Sequence, residues 1–233
     1  MTLSVQCYVR NSELVEILAQ SIATALRQAI VERGNASIAV SGGSTPKSLF
    51  AALSQADIEW SKVTVTLVDE RWVPQTHRDS NAKLVHEHLL CNRAAKAKFI
   101  ALKTSHDDPF AAESTLDAVL KSKVLPLDVV VLGMGEDGHT ASYFPLAQGL
   151  AQALQSHTHA CFGVRPTTAS HERMTLSLAT VLAAKNVFLH IIGEKKKSVL
   201  EAAMLAGPVT ELPVRAVLHQ SKVPLQIFYA EQE

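Results

Sequence analysis

Five residues, Asp128-Val129-Val130-Val131-Leu132, constrain the fold of this chain more than any other segment. Successive side chains of a strand point to opposite faces, so an unbroken apolar run needs cover on both sides. Such strands lie at the centre of parallel sheets, whose neighbours are joined by crossover helices. The remaining sequence offers these connections. Leu3 to Val9 reads as a strand, and Asn11 or Ser12 can cap a helix to about Glu32, stopped by Gly34. Ser37 to Val40 is a short strand and Pro46 to Leu53 a helix, with proline in the first turn where its missing N–H costs nothing. Val63 to Val68 is apolar and β-branched, a buried strand. Asp79 or Ser80 caps a helix to Leu90, Phe99 to Leu102 is a strand, and Pro109 to Lys123 a helix. Helical and strand pieces follow the valine run as far as Leu178. Strand Val187 to Ile192, helix Glu194 to Leu205 and strand Leu225 to Tyr229 complete the pattern. The expectation is an α/β fold: an open, mostly parallel sheet with helices on both faces. No linker or repeat divides residues 1–233, so one domain is expected.

Composition narrows the partners. Lys plus Arg equals Asp plus Glu at 22 each, so no overall field favours nucleic acid or an anionic membrane. Cys7, Cys91 and Cys161 have neither disulfide-framework nor zinc spacing, which suits a reducing compartment. There is no basic segment followed by an apolar run at the N-terminus, and no unbroken apolar stretch nears the roughly 20 residues of a bilayer span. A cytoplasmic protein is expected, as a monomer or weak homo-oligomer.

Four chemically rich segments follow strands: "SGGSTPKS", "DERW", "GMGEDGH" and "GEKKK". Loops at the carboxyl ends of parallel strands form the ligand crevice of such folds. Within the third, Gly133-x-Gly135-x-x-Gly138 spells a dinucleotide-binding turn. That reading fails on its surroundings. The acidic residue required about 20 positions later is missing, since no Asp or Glu lies between His139 and His171. Glu136 and Asp137 would also stand where a pyrophosphate belongs. A tight structural turn is one alternative. A catalytic turn is the other, with the Asp137 carboxylate orienting a His139 imidazole that titrates near neutral pH.

"SGGSTPKS" has small residues, hydroxyls and free N–H groups before a helix, the components of an anion site. It is no Walker loop, because Pro46 stands where glycine is required. Arg173 and Lys196 are basic residues on the same inferred sheet; each is either a solvated charge or an anion ligand. Lys196 sits in a Lys195–Lys197 run at a helix start, where the dipole disfavours cations and a bound anion would offset that. Asp69, Glu70 and Arg71 form either a structural ion cluster or a polar platform facing the crevice, with Trp72 and Pro74 packing behind. His86 with His88, and His157 with His159, lack a suitably spaced third ligand, so no metal is expected.

In this order, "SGGSTP", "DERWVP", "DSN", "GMGEDGHTASYFP", "RMTLSL" and "GEKK" resemble the 6-phosphogluconolactonases, in the group that includes glucosamine-6-phosphate isomerase/deaminases. The resemblance implies a three-layer, Rossmann-like α/β fold with no dinucleotide and no other cofactor. It implies a phosphate site on Gly42, Gly43, Ser44 and Thr45, with Arg173 and Lys196. It places the catalytic histidine at His139, with Asp137 beside it and Arg71 near the sugar ring; Asp69 joins the substrate-binding set. The implied substrate is a small sugar-phosphate lactone, 6-phospho-D-glucono-1,5-lactone, hydrolysed in the oxidative pentose phosphate pathway. The deaminase pattern has "DEY" and "NEP" where this chain has Asp69-Glu70-Arg71 and Tyr143-Phe144-Pro145, which favours the lactonase. Leu146 departs from the glycine many lactonases carry there. Two alternatives stay open: a glucosamine-6-phosphate isomerase/deaminase, and a non-enzymatic sugar-phosphate sensor.

Overall fold

The computed structural model describes residues 3–232. In chain order its elements are β1 (Leu3–Arg10), α1 (Asn11–Arg33), β2 (Ala36–Val40), α2 (Lys47–Gln55), β3 (Val63–Leu67) and β4 (Asp69–Arg71). Next come α3 (Asn81–His88), β5 (Lys98–Ile100), α4 (Pro109–Lys123), β6 (Val129–Leu132), α5 (Leu150–Gln155) and β7 (Cys161–Val164). The chain continues with β8 (Arg173–Leu176), α6 (Leu178–Leu182), β9 (Asn186–Ile192), α7 (Glu194–Met204), α8 (Arg215–Leu218) and β10 (Leu225–Gln232).

Seven strands form one sheet in the order β1-β10-β9-β6-β2-β3-β5, and every neighbouring pair is parallel. All residues of β2 and β6 are buried, which requires a covering layer on each face. The helices form two groups: α1 packs on α2 and α2 on α3, while α7 packs on α8, α8 on α6 and α6 on α5. The three-layer α/β expectation is the architecture observed.

Two details differ from the sequence expectation. Arg10, which makes no side-chain capping bond, occupies the cap position of α1, and Asn11 is buried instead. Asn11 Nδ2 donates to Ser48 Oγ at 3.0 Å, and Asn11 Oδ1 faces His190 Nε2 at 3.1 Å. Tertiary partners outcompete the local cap. Helix α1 is also long and apolar enough to cross a bilayer by length and composition, with a mean hydropathy of 1.3. Its buried side, including Leu14, Leu18, Ile22 and Leu26, forms a stripe at helical spacing that packs on the sheet.

A second sheet, β4-β8-β7, is antiparallel and was not expected. Asp69-Glu70-Arg71 leaves the main sheet after β3 and pairs with Arg173-Met174-Thr175, with Arg71 opposite Arg173. Three polar residues carry no strand periodicity of their own; only the partner strand makes them one.

Strand order places the site. From β2 the chain moves to β3 and β5 on one side, whereas β6, on the other side of β2, leads to β9 and β10. The β2–β6 border is therefore a topological switch point, where a crevice opens at the carboxyl ends. Ser41 N–H donates to Val131 O at 3.0 Å, carrying the pairing to its mouth.

Candidate active site

A cavity of about 220 Å³ opens at this border. The loop 41–46, the ends of β4 and β6, the first residue of α3, His139, His190 and Lys196 line it. Among the described residues, the backbone N–H groups of 42–45 donate to no other chain group. They precede α2, so free donors and a helix N-terminus converge on one side of the cavity. A Cβ on Gly42 would lie 1.8 Å from Asn81 Oδ1, so only glycine lets the loop pass the side chain that starts α3. Opposite stands Lys196. Lys195 pairs with Glu136 at 3.9 Å, and Lys197 pairs with Glu194 and lies over the Tyr229 ring. Of the three lysines, only Lys196 lines the cavity.

The glycine turn after β6 carries a dyad. His139 Nδ1 lies 2.5 Å from Asp137 Oδ1, which also accepts the His139 backbone N–H at 3.2 Å. Burial pushes the Asp137 carboxyl up, but the His139 hydrogen bond, imidazole attraction and backbone donors bring it below the usual carboxylate range. An ionised Asp137 only accepts, so the proton sits on Nδ1 and Nε2 keeps a lone pair. Phe144 stacks on the imidazole, centroid to centroid 4.2 Å. The glycines serve this geometry. A Cβ on Gly135 would lie 2.3 Å from His139 Cε1 and Nδ1, and Gly138 turns the chain at φ +74. Close approach of the His139 side chain accounts for Gly135 and the positive φ for Gly138, whereas a Cβ on Gly133 would meet nothing within 4 Å.

Asp69 and Arg71 line the cavity, but Glu70 does not. Glu70 is fully buried and accepts from the N–H groups of Arg71, Asn81 and Ala82 and from Ser80 Oγ. It holds the N-terminus of α3. Burial pushes its carboxyl above the usual range, although these donors oppose the shift. Asp69 Oδ2 accepts from Ser142 Oγ at 2.6 Å, and its backbone carbonyl accepts from Asn81 Nδ2 at 2.8 Å. Arg173 is absent from the cavity lining and buried beside it. Its Nη1 donates to the carbonyls of Ser170 and His171, and its guanidinium lies 5.8 Å from the Phe144 ring centre. Burial lowers its proton affinity, against attraction from Asp69.

Of the two residues expected to pack behind this platform, Pro74 is exposed, whereas Trp72 is partly buried against the core, carries Lys103 over its ring and donates to Asp107 O. Among the described residues, one trio could offer three metal-ligand atoms within 4.8 Å, namely His77, Asp79 and His171. It includes none of the histidine pairs considered above. Its atoms are bonded to one another, and Arg71, Arg78 and Arg173 approach Asp79, a field that opposes a dication.

Sequence reasoning missed Asn81, Ser142, Phe144 and His190 as parts of the site. The first three lie inside quoted motifs, whereas His190 is one polar residue in an apolar strand and carries no motif.

The family model described as glucosamine-6-phosphate isomerases/6-phosphogluconolactonase matches residues 10–225. A 6-phosphogluconolactonase of Rhizobium meliloti is 43% identical over 99% of this chain and 100% of its own. One from Mesorhizobium japonicum is 46% identical, over 94% of this chain and 91% of its own. The crystal structure of a 6-phosphogluconolactonase from Shewanella baltica superposes with a TM-score of 0.96 at 44% identity, covering 98% of both chains. With its motifs gathered around one cleft at the switch point, the chain belongs to the glucosamine-6-phosphate isomerase/6-phosphogluconolactonase family.

Proposed function

We propose that this chain hydrolyses 6-phospho-D-glucono-1,5-lactone to 6-phospho-D-gluconate, as a cytoplasmic enzyme of the oxidative pentose phosphate pathway, monomeric or weakly self-associating. The observation that carries this reading is the Asp137–His139 dyad facing an anion loop across a cavity of about 220 Å³. Free N–H groups of 42–45, with Lys196, would take the phosphate and turn attack on the lactone into a positioned, nearly unimolecular step. Arg173 adds positive charge from behind Arg71. Neutral His139 takes a proton at Nε2 from water, which attacks the C1 carbonyl carbon. The tetrahedral intermediate collapses, the C1–ring oxygen bond breaks, and the imidazolium returns its proton to the ring oxygen. Asp137 keeps the imidazole in the useful tautomer and stabilises the imidazolium. The N–H groups of Gly135, Gly138 and His139 are occupied within the turn, and that of Gly133 donates to Ser41 Oγ at 3.3 Å. Arg71, which lines the cavity and spends Nη1 on the Asp79 carbonyl, is assigned as the donor to the C1 oxyanion. The step so written uses no metal, cofactor or covalent intermediate.

His139→Ala tests it. Loss of a general base costs about 10²–10⁴-fold in rate, whereas 6-phosphogluconate affinity should be largely retained, because His139 does not anchor the phosphate. Rates are measured on freshly generated lactone and corrected for spontaneous hydrolysis. A variant within threefold of the parent removes His139 from the mechanism. Release of ammonia from glucosamine 6-phosphate at a comparable rate would move the chain to the deaminase branch.

A further inference from the structure

We propose that His171 and Asp79 form a positioning clasp that holds the guanidiniums of Arg71 and Arg173 side by side at the cleft. The two arginines are direct partners across β4 and β8, and their charges oppose each other. Arg71 Nη1 donates to the backbone carbonyl of Asp79 at 2.8 Å, and Arg173 Nη1 donates to that of His171 at 2.9 Å. The residues supplying these carbonyls are 92 positions apart, yet their side chains meet, His171 Nε2 to Asp79 Oδ2 at 3.1 Å. The result is a closed ring: strand pairing joins the arginines, carbonyls tether each one, and a side-chain bond joins the tethers.

The protonation pattern agrees. The hydrogen bond from His171 is the largest influence on the Asp79 carboxyl, which lies below its usual range. An ionised Asp79 makes His171 Nε2 the donor. His77 supports the clasp from behind, its Nδ1 accepting the Asp79 N–H at 3.2 Å and its ring standing edge-on to His171. A second, independent sign is backbone strain. His171 has φ +65, a left-handed conformation that favours glycine. A histidine kept at such a position implies that its side chain is used there.

The proposal rests on the reading that Arg71 faces C1 of the bound sugar, where 6-phosphogluconate carries its carboxylate. His171→Gly deletes the clasp and relieves the strain together, so its effects on binding and on folding should point in opposite directions. Calorimetric titration with 6-phosphogluconate is expected to show affinity about three- to tenfold weaker, the low end for bonds to charged groups because the pair is partly exposed. The unfolding midpoint should be unchanged or higher. His171→Gln, which keeps an N–H donor at similar reach, should bind within about twofold of the parent. Unchanged affinity in His171→Gly overturns the clasp, and so does weakened affinity accompanied by a lower midpoint and no rescue by glutamine. Arg71→Ala separates the two readings. If it leaves affinity intact, the assignment of Arg71 fails and the proposal with it; if it weakens binding while His171→Gly does not, the clasp fails alone.

Discussion

Gly135→Ala puts the catalytic geometry to a quantitative test. The added methyl would stand 2.3 Å from two atoms of the His139 ring and 2.6 Å from Asp137 Oδ1. Ordinary contact begins at 3.4 Å, so the ring must retreat by the difference between 3.4 and 2.3 Å, about 1 Å. It has no easy retreat, with Phe144 stacked at 4.2 Å and Nδ1 bonded to Asp137 at 2.5 Å. A misplacement of about 1 Å at a reacting group costs on the order of 10²-fold. Lactone hydrolysis should therefore fall about a hundredfold, while 6-phosphogluconate affinity stays within threefold, because loop 41–46 belongs to a different strand. The same turn supplies its own control. A Cβ on Gly133 meets nothing within 4 Å, and its φ is not positive, so Gly133→Ala should hydrolyse lactone within about twofold of the parent. Initial rates on fresh lactone, with spontaneous hydrolysis subtracted, give the comparison. Equal activity in the two alanine variants would refute the claim that Gly135 exists to admit the imidazole.

Three further outcomes follow from individual environments. Burial, with Lys196 adding to it, lowers the His190 pKa from 6.5 to about 4. Because the unfolded chain takes up this proton first, stability complete above pH 6.5 should drain away between pH 6.5 and 4, by roughly 3 kcal/mol. His190→Gln should flatten that slope in urea midpoints measured across the window; an unchanged slope assigns the loss elsewhere. Leu146 is 80% exposed at φ +58, where a non-glycine residue costs about 1–2 kcal/mol against roughly 0.5–1 kcal/mol of extra chain entropy for glycine. Leu146→Gly should thus raise stability by up to about 1 kcal/mol at unchanged hydrolysis, and a lower melting midpoint would contradict this. Lys196→Ala should raise KM by one to two decades, as loss of a bond between charged groups does, whereas Lys195→Ala, paired with Glu136, should not; equal KM values in both variants would place the phosphate elsewhere.

Much of the main sheet is legible in one dimension because its signal is local. Runs such as Val129–Leu132 and Val63–Leu67 state that both faces are covered, and a strand's hydrophobic pattern repeats every two residues whatever lies far away. The dyad is legible for a similar reason, since Asp137 and His139 are two positions apart and meet across one turn. The small residues of 41–45 before α2 likewise mark a loop whose N–H groups at 42–45 stay open at a helix start, without any distant partner.

Other features depend on strand register and on where long loops return, which no local pattern encodes. Asp69-Glu70-Arg71 becomes a strand only because Arg173-Met174-Thr175 lies beside it, and that pairing turns Glu70 away from the cleft to hold α3. The choice of Lys196 over its two neighbours is made by helix phase, with Lys195 drawn to Glu136 in the glycine turn and Lys197 to Glu194 on its own helix. Asn11 is an apparent helix cap until β9 brings His190 to it from 179 positions away. The sequence by itself determined the layers and the chemistry available to them. Tertiary structure alone decided which polar groups face one another, because those contacts join residues whose proximity is set by packing of the whole sheet.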